Sequence, residues 1–154
     1  MKWLASVSGL CLMACAPAAP DRLVAGNGIN GDRIPIALTD KVGDAARGQS
    51  IFSDRDKGHC VLCHQVAGLD TPFQGDVGPE LSGVGDRLDA AQLRLRIVDY
   101  QRVLPGALMP SYYRIHDLYQ VQERYAGTPI LSAQQVEDLV AYLSDLKGGA
   151  DDLE

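Results

Sequence analysis

Cys60-Val61-Leu62-Cys63-His64 decides how this chain is read. Two thiols three positions apart, followed at once by an imidazole, form the attachment pattern of a c-type haem. On a short turn of helix the two sulfurs reach the two vinyl edges of the porphyrin, and the next residue projects its ring at the iron. Other chemistry fits these residues less well. A structural zinc site needs four thiolate or imidazole ligands, yet beyond the N-terminal leader there are only Cys60, Cys63, His59, His64 and His116, with no second paired cluster. A thioredoxin-like dithiol sits at a strand-to-helix turn, whereas this motif lies in Gly-rich loop and helix without valine- or isoleucine-rich strands. The bland alternative is two buried cysteines beside an incidental histidine.

Upstream, the chain begins Met1-Lys2 and runs apolar from Trp3 to Ala14, which reads as an export signal too short to serve as a stable bilayer anchor. Two ways of cutting it stay open. Leu12-Met13-Ala14-Cys15 has the form of a lipobox, which would make Cys15 a lipidated N-terminus and tether the domain to a membrane. Ala16-Pro17-Ala18 offers an ordinary small-residue cleavage site that discards Cys15. Either route leaves Cys60 and Cys63 as the cysteines of the fold, so no structural disulfide competes for them. The formal charge of −6 becomes −7 without Lys2 and argues against nucleic acid. It fits a basic or amphiphilic protein partner, or simple solubility of an exported protein.

Around the motif the sequence predicts one all-α domain. Residues 1–15 are expected to be the export signal, 16–43 an extended arm, 44–147 the domain and 148–154 a tail. The arm is rich in Gly, Pro, Ala and Asn without sustained periodicity, but Ile34, Pro35, Ile36 and Leu38 suit packing along a surface. Asp44 can cap a helix running to about Ser53, in which Gly48 invites close approach of another backbone. Asp89 with Gln92 caps a middle helix carrying Leu93, Ile97 and Tyr100. Ser132 with Gln135 caps a last helix whose stripe is Val136, Leu139, Val140 and Leu143, with Leu131 and Val136 at staple spacing. Three helices and long loops describe a domain built around something other than its own side chains.

A haem held by His64 has a second axial position, and Met109, in Leu108-Met109-Pro110, is the one methionine outside the leader. A thioether is a soft neutral ligand that favours ferrous iron and suits electron transfer. Met109 could equally be a core filler. His116 is the rival sixth ligand, in what reads as a surface segment; His59 precedes the first cysteine and is expected at the surface.

Gly48 with Phe52, Cys60-Val61-Leu62-Cys63-His64, Gly78-Pro79-Glu80-Leu81 and Leu139-Val140-Ala141-Tyr142-Leu143 together resemble the class I cytochrome c family. That resemblance implies its all-α fold around one covalently bound haem c, with His64 and Met109 on the iron and the Pro79 carbonyl accepting from the His64 ring. More narrowly, Pro35-Ile36-Ala37-Leu38-Thr39, Gly43-Asp44-Ala45-Ala46-Arg47-Gly48, Gly75-Asp76-Val77-Gly78-Pro79-Glu80-Leu81-Ser82-Gly83-Val84-Gly85 and Met109-Pro110-Ser111-Tyr112-Tyr113-Arg114 resemble the SoxX family, monohaem subunits of SoxAX.

What this second resemblance implies is a periplasmic electron-transfer subunit, non-catalytic alone. With a SoxA-like dihaem or monohaem cytochrome it would form an L-cysteine S-thiosulfotransferase that couples thiosulfate to the SoxYZ carrier and passes electrons to a downstream acceptor. The rival is a stand-alone respiratory carrier. About twenty residues separate Met109 from the last helix, carrying Tyr112, Tyr113, Tyr119 and Tyr125. They are expected either to pack over the haem edge or to form a docking surface, because tyrosine supplies contact area at low entropic cost.

Overall fold

The computed structural model describes residues 28–148. The export signal, Cys15 with both cleavage sites, residues 16–27 of the arm and residues 149–154 of the tail lie outside the described residues. The elements are α1 (Ala45–Ser53), a 3₁₀ turn Cys60–Leu62, α2 (Val84–Arg87), α3 (Ala90–Asp99), 3₁₀ turns Tyr100–Arg102 and Glu123–Tyr125, and α4 (Ala133–Asp145). Among the described residues there is no strand beyond an isolated bridge between Asn30 and Arg33. The all-α expectation holds, with α2 as a short addition to the three helices anticipated.

Each long helix starts where its cap residue stands. The Asp44 carboxylate accepts from Arg47 N at 2.9 Å, and Asp89–Gln92 and Ser132–Gln135 both form complete capping boxes. Such caps contribute about 1 kcal/mol each by satisfying amides the helix leaves unpaired. α3 tightens into 3₁₀ geometry at Tyr100, and α4 ends at Asp145, three residues before Gly148.

The central contact crosses α1 over α4. A Cβ on Gly48 would overlap the Asp138 carbonyl oxygen and lie 2.7 Å from the Tyr142 Cβ, so the two backbones meet as closely as only glycine permits. Phe52 and Tyr142 pack beside it with ring centroids 5.6 Å apart and planes tilted by 58°. Phe52, Leu95, Leu131, Val136 and Leu139 are wholly buried, each burial worth about 1.5–3 kcal/mol.

The described part of the arm is a strap on this core. Ile34 is fully buried; its amide donates to Ala91 O at 3.0 Å and its carbonyl accepts from Arg94 Nη1 at 2.8 Å. Asp32 accepts from Gln92 at 2.6 Å, Arg33 pairs with Asp89 at 3.0 Å, and Leu38 N donates to Glu137 at 2.9 Å. Of the apolar residues expected to pack, Ile34 and Leu38 lie against the core, whereas Pro35 and Ile36 are exposed, Ile36 at 75%.

Candidate haem-binding site

The motif forms a single 3₁₀ turn, with Cys63 N and His64 N both donating to Cys60 O at 3.0 and 2.9 Å. His59, exposed and at a φ of 56°, makes the left-handed entry into the turn. Cys60 and Cys63 are free thiols, half-buried on that turn. Burial pushes the Cys60 thiol up to about 12.

Residues 75–81 run alongside the motif. Gly75 N donates to Val61 O, Gly78 N to Cys63 O and Leu81 N to Gln65 O, at 2.8–2.9 Å. This register delivers the Pro79 carbonyl to His64 Nδ1 at 2.7 Å. Gly78 makes the approach feasible, since a Cβ there would overlap the imidazole and stand 2.6 Å from its Nδ1. With Nδ1 donating to a carbonyl, the ring is fixed in the tautomer whose Nε2 carries the lone pair. A ring so oriented, one residue after two free thiols, fits a covalently attached haem.

Met109 is half-buried and packs against the same core as Cys60. Just beyond it, Tyr112 is buried, and its phenol is pushed up first by burial and then by the electrostatic influence of Cys60 and Cys63. The segment after Met109 therefore passes close to both thiols. His116 is not the surface residue anticipated: it is half-buried and lines a small cavity with Ile29, Val98, Asp99, Arg102, Tyr113 and Arg114. A larger open cleft of about 390 Å³ beside Gln65–Gln74 and Glu80 touches none of Cys60, Cys63, His64, Pro79 or Met109.

The tyrosines of the insertion divide. Tyr112 and Tyr113 are buried at 5% and 7% exposure, whereas Tyr119 and Tyr125 stand out at 91% and 54%. Packing describes the first pair and display the second. Exposed apolar side chains also accompany the site: Leu62 within the motif, Phe73 and Val77 in the flanking loop, and Leu108 next to Met109. Sequence reasoning assigned no role to Asp99, Gln101 or Arg114, which brace the Met109 segment. Their signal was weak, being polar side chains at the end of α3 and shortly after Met109-Pro110.

A family profile described as cytochrome c matches residues 45–147. A chain of the SoxXA crystal structure from P. pantotrophus is 35% identical and superposes with a TM-score of 0.73, over 77% of this chain and 93% of that one. Cytochrome c-550 of Bacillus subtilis (strain 168) is 33% identical over 55 residues, 36% of this chain and 42% of that protein. The match thus spans less than half of that relative. The fold and the histidine turn define a class I cytochrome c, and the chain belongs to the cytochrome c family, whose members hold haem c covalently and carry electrons. Within the family it is of the SoxX kind, as its motifs indicated.

Proposed function

We propose that this protein is the monohaem electron-transfer subunit of a SoxAX-type complex, exported to the periplasm and paired with a SoxA-like cytochrome. Cys60 and Cys63 would form the thioether links, with His64 and Met109 as axial ligands and the Pro79 carbonyl holding the His64 ring. The haem supplies a one-electron couple. This chain's residues orient the histidine, offer a neutral thioether that favours the ferrous state, and pack Tyr112 and Tyr113 under the Met109 segment. The sulfur chemistry on thiosulfate and the SoxYZ carrier would belong to the partner. Electrons taken up here would leave for a downstream acceptor.

The observation that carries this reading is the outer half of the insertion, where Leu118, Tyr119, Val121, Tyr125 and Ile130 are 41–91% exposed. A carrier that works alone has no need of such a display, and large amphipathic side chains of this type are what protein interfaces use. Coexpression with a SoxA-like cytochrome tests it. A stable heterodimer is expected; recovery of only the monomer with that partner present favours the stand-alone carrier. Intact mass of the exported protein reports haem attachment, leader cleavage and any lipid on Cys15 together. No helix among the described residues is long and apolar enough to cross a membrane.

A further inference from the structure

Met109 lies in irregular chain between the end of α3 and the insertion, and both of its flanks are held by side chains. On the upstream side Gln101 Nε2 donates to Ala107 O at 3.4 Å. On the downstream side Ser111 Oγ donates to Asp99 Oδ1 at 2.6 Å, while Tyr112 N and Tyr113 N donate to Ile97 O and Val98 O at 3.2 Å. Arg114 joins the two halves: Nη1 reaches both Asp99 oxygens at 3.2 and 3.3 Å, and Nη2 donates to Gln101 Oε1 at 3.1 Å. Arg102 Nε stands 3.6 Å from the same carboxylate. Asp99 is only 4% exposed and Ser111 8%.

We propose that Asp99, Gln101 and Arg114 act together as the positioning device for Met109, setting how firmly its sulfur is held at the iron. The proposal rests on the reading of Met109 as an axial ligand. The physical need is specific. A methionine side chain has three rotatable bonds, and its thioether is a weak neutral donor, so the bond it makes depends on where the backbone places its Cα. Here the chain is held at Ala107 before Met109, and after it through the Ser111 hydroxyl and the Tyr112 and Tyr113 amides. The pins converge on a buried carboxylate whose charge is met by Arg114 and a hydroxyl, an arrangement that resists movement because any shift strands a desolvated charge. None of the three touches the reacting atoms; they act through the chain that bears the ligand.

The test compares holoproteins of the wild type, Asp99→Ala, Asp99→Asn and Gln101→Ala. Ile34→Ala, which perturbs the strap where it meets Ala91 and Arg94, serves as the stability control. Two readouts report the iron–sulfur bond directly: the thioether-to-iron charge-transfer band of the ferric protein and the rate of carbon monoxide binding to the ferrous protein. Asp99→Ala should weaken the band and speed carbon monoxide binding by about 10- to 100-fold. Asp99→Asn, which can still accept from Ser111, should give a smaller change, and Ile34→Ala should lower thermal stability with both readouts unmoved. Should Asp99→Ala not accumulate, the Asn and Gln101→Ala variants carry the comparison. Variants that lose thermal stability yet keep the wild-type band and rate would overturn the proposal. A wild type that itself binds carbon monoxide readily would instead remove the axial reading on which it stands.

Discussion

Arg94 on α3 and Glu137 on α4 meet as a bidentate ion pair, Nε to Oε1 at 2.7 Å and Nη2 to Oε2 at 2.8 Å, with both side chains less than a tenth exposed. Their spare hydrogen-bonding capacity goes to the arm, through Ile34 O and Leu38 N. A buried pair is tolerable when its remaining donors and acceptors are met in this way, and breaking it leaves one charge desolvated. Glu137→Gln should therefore cost about 3–5 kcal/mol in denaturant unfolding, and Arg94→Met with Glu137→Leu together should cost clearly less than the single change. A double mutant worse than Glu137→Gln would show that the strap contacts, rather than the charge, dominate.

Gly78→Ala separates the site from the fold. The new methyl would meet the His64 ring, so the ring must turn away from the Pro79 carbonyl or the 75–81 segment must lift. The expected result is poor haem incorporation, or a haem spectrum with disturbed axial ligation, in a protein whose helical circular dichroism is retained. Normal incorporation with an unshifted reduction potential would contradict the placement of His64.

Pro79→Ala should do much less. The acceptor for His64 is the main-chain carbonyl of residue 79, which alanine keeps, so only the stiffness of the proline ring is lost, worth about 0.4–1 kcal/mol through the unfolded chain. Haem incorporation near wild-type level, with a small shift in potential, is expected from redox titration. A loss as severe as that of Gly78→Ala would mean the proline ring itself is required.

Asp138 makes the α1–α4 dock acid-sensitive. Burial alone would raise its carboxyl, but hydrogen bonds from Arg47, Gln134 and the Asp44 amide outweigh that and hold it below the usual carboxylate range. A folded value below the unfolded one stabilises the protein fully above about pH 4, the ordinary carboxylate value, and that contribution fades as pH falls through the folded value. Stability measured against pH should drop on that acid limb, and Asp138→Asn should flatten it while lowering stability at neutral pH. An unchanged acid limb in the variant would assign the drop to other carboxylates.

The parts of this fold legible in the sequence are those set by local chemistry. Asp44, Asp89–Gln92 and Ser132–Gln135 announce helix starts because a cap is a contact within four residues, and Gly48 stands out because glycine inside a helix is costly without a reason. The Cys60–His64 turn is legible for the same cause. Polar contacts across long separations were not. Arg94 and Glu137 are 43 positions apart, and each reads as an ordinary exposed charge until α3 and α4 are placed together. Ile34 had the composition of an anchor but no periodicity to say where it binds. His116 lay among tyrosines and charges, and only the fold turns it inward against the Asp99 cluster.

The α1–α4 dock also governs how much sequence this domain can take on. Arg47 and Asp138, joined across it, are 91 residues apart, so the haem motif, the Met109 segment and the insertion all lie inside one long closed loop. The entropy of closing a loop grows only logarithmically, and each doubling of its length costs about 0.6 kcal/mol. Lengthening the chain between Met109 and α4 is therefore nearly free for the fold. The exposed stretch bearing Tyr119 and Tyr125 can grow or change without the core having to be rebuilt to match.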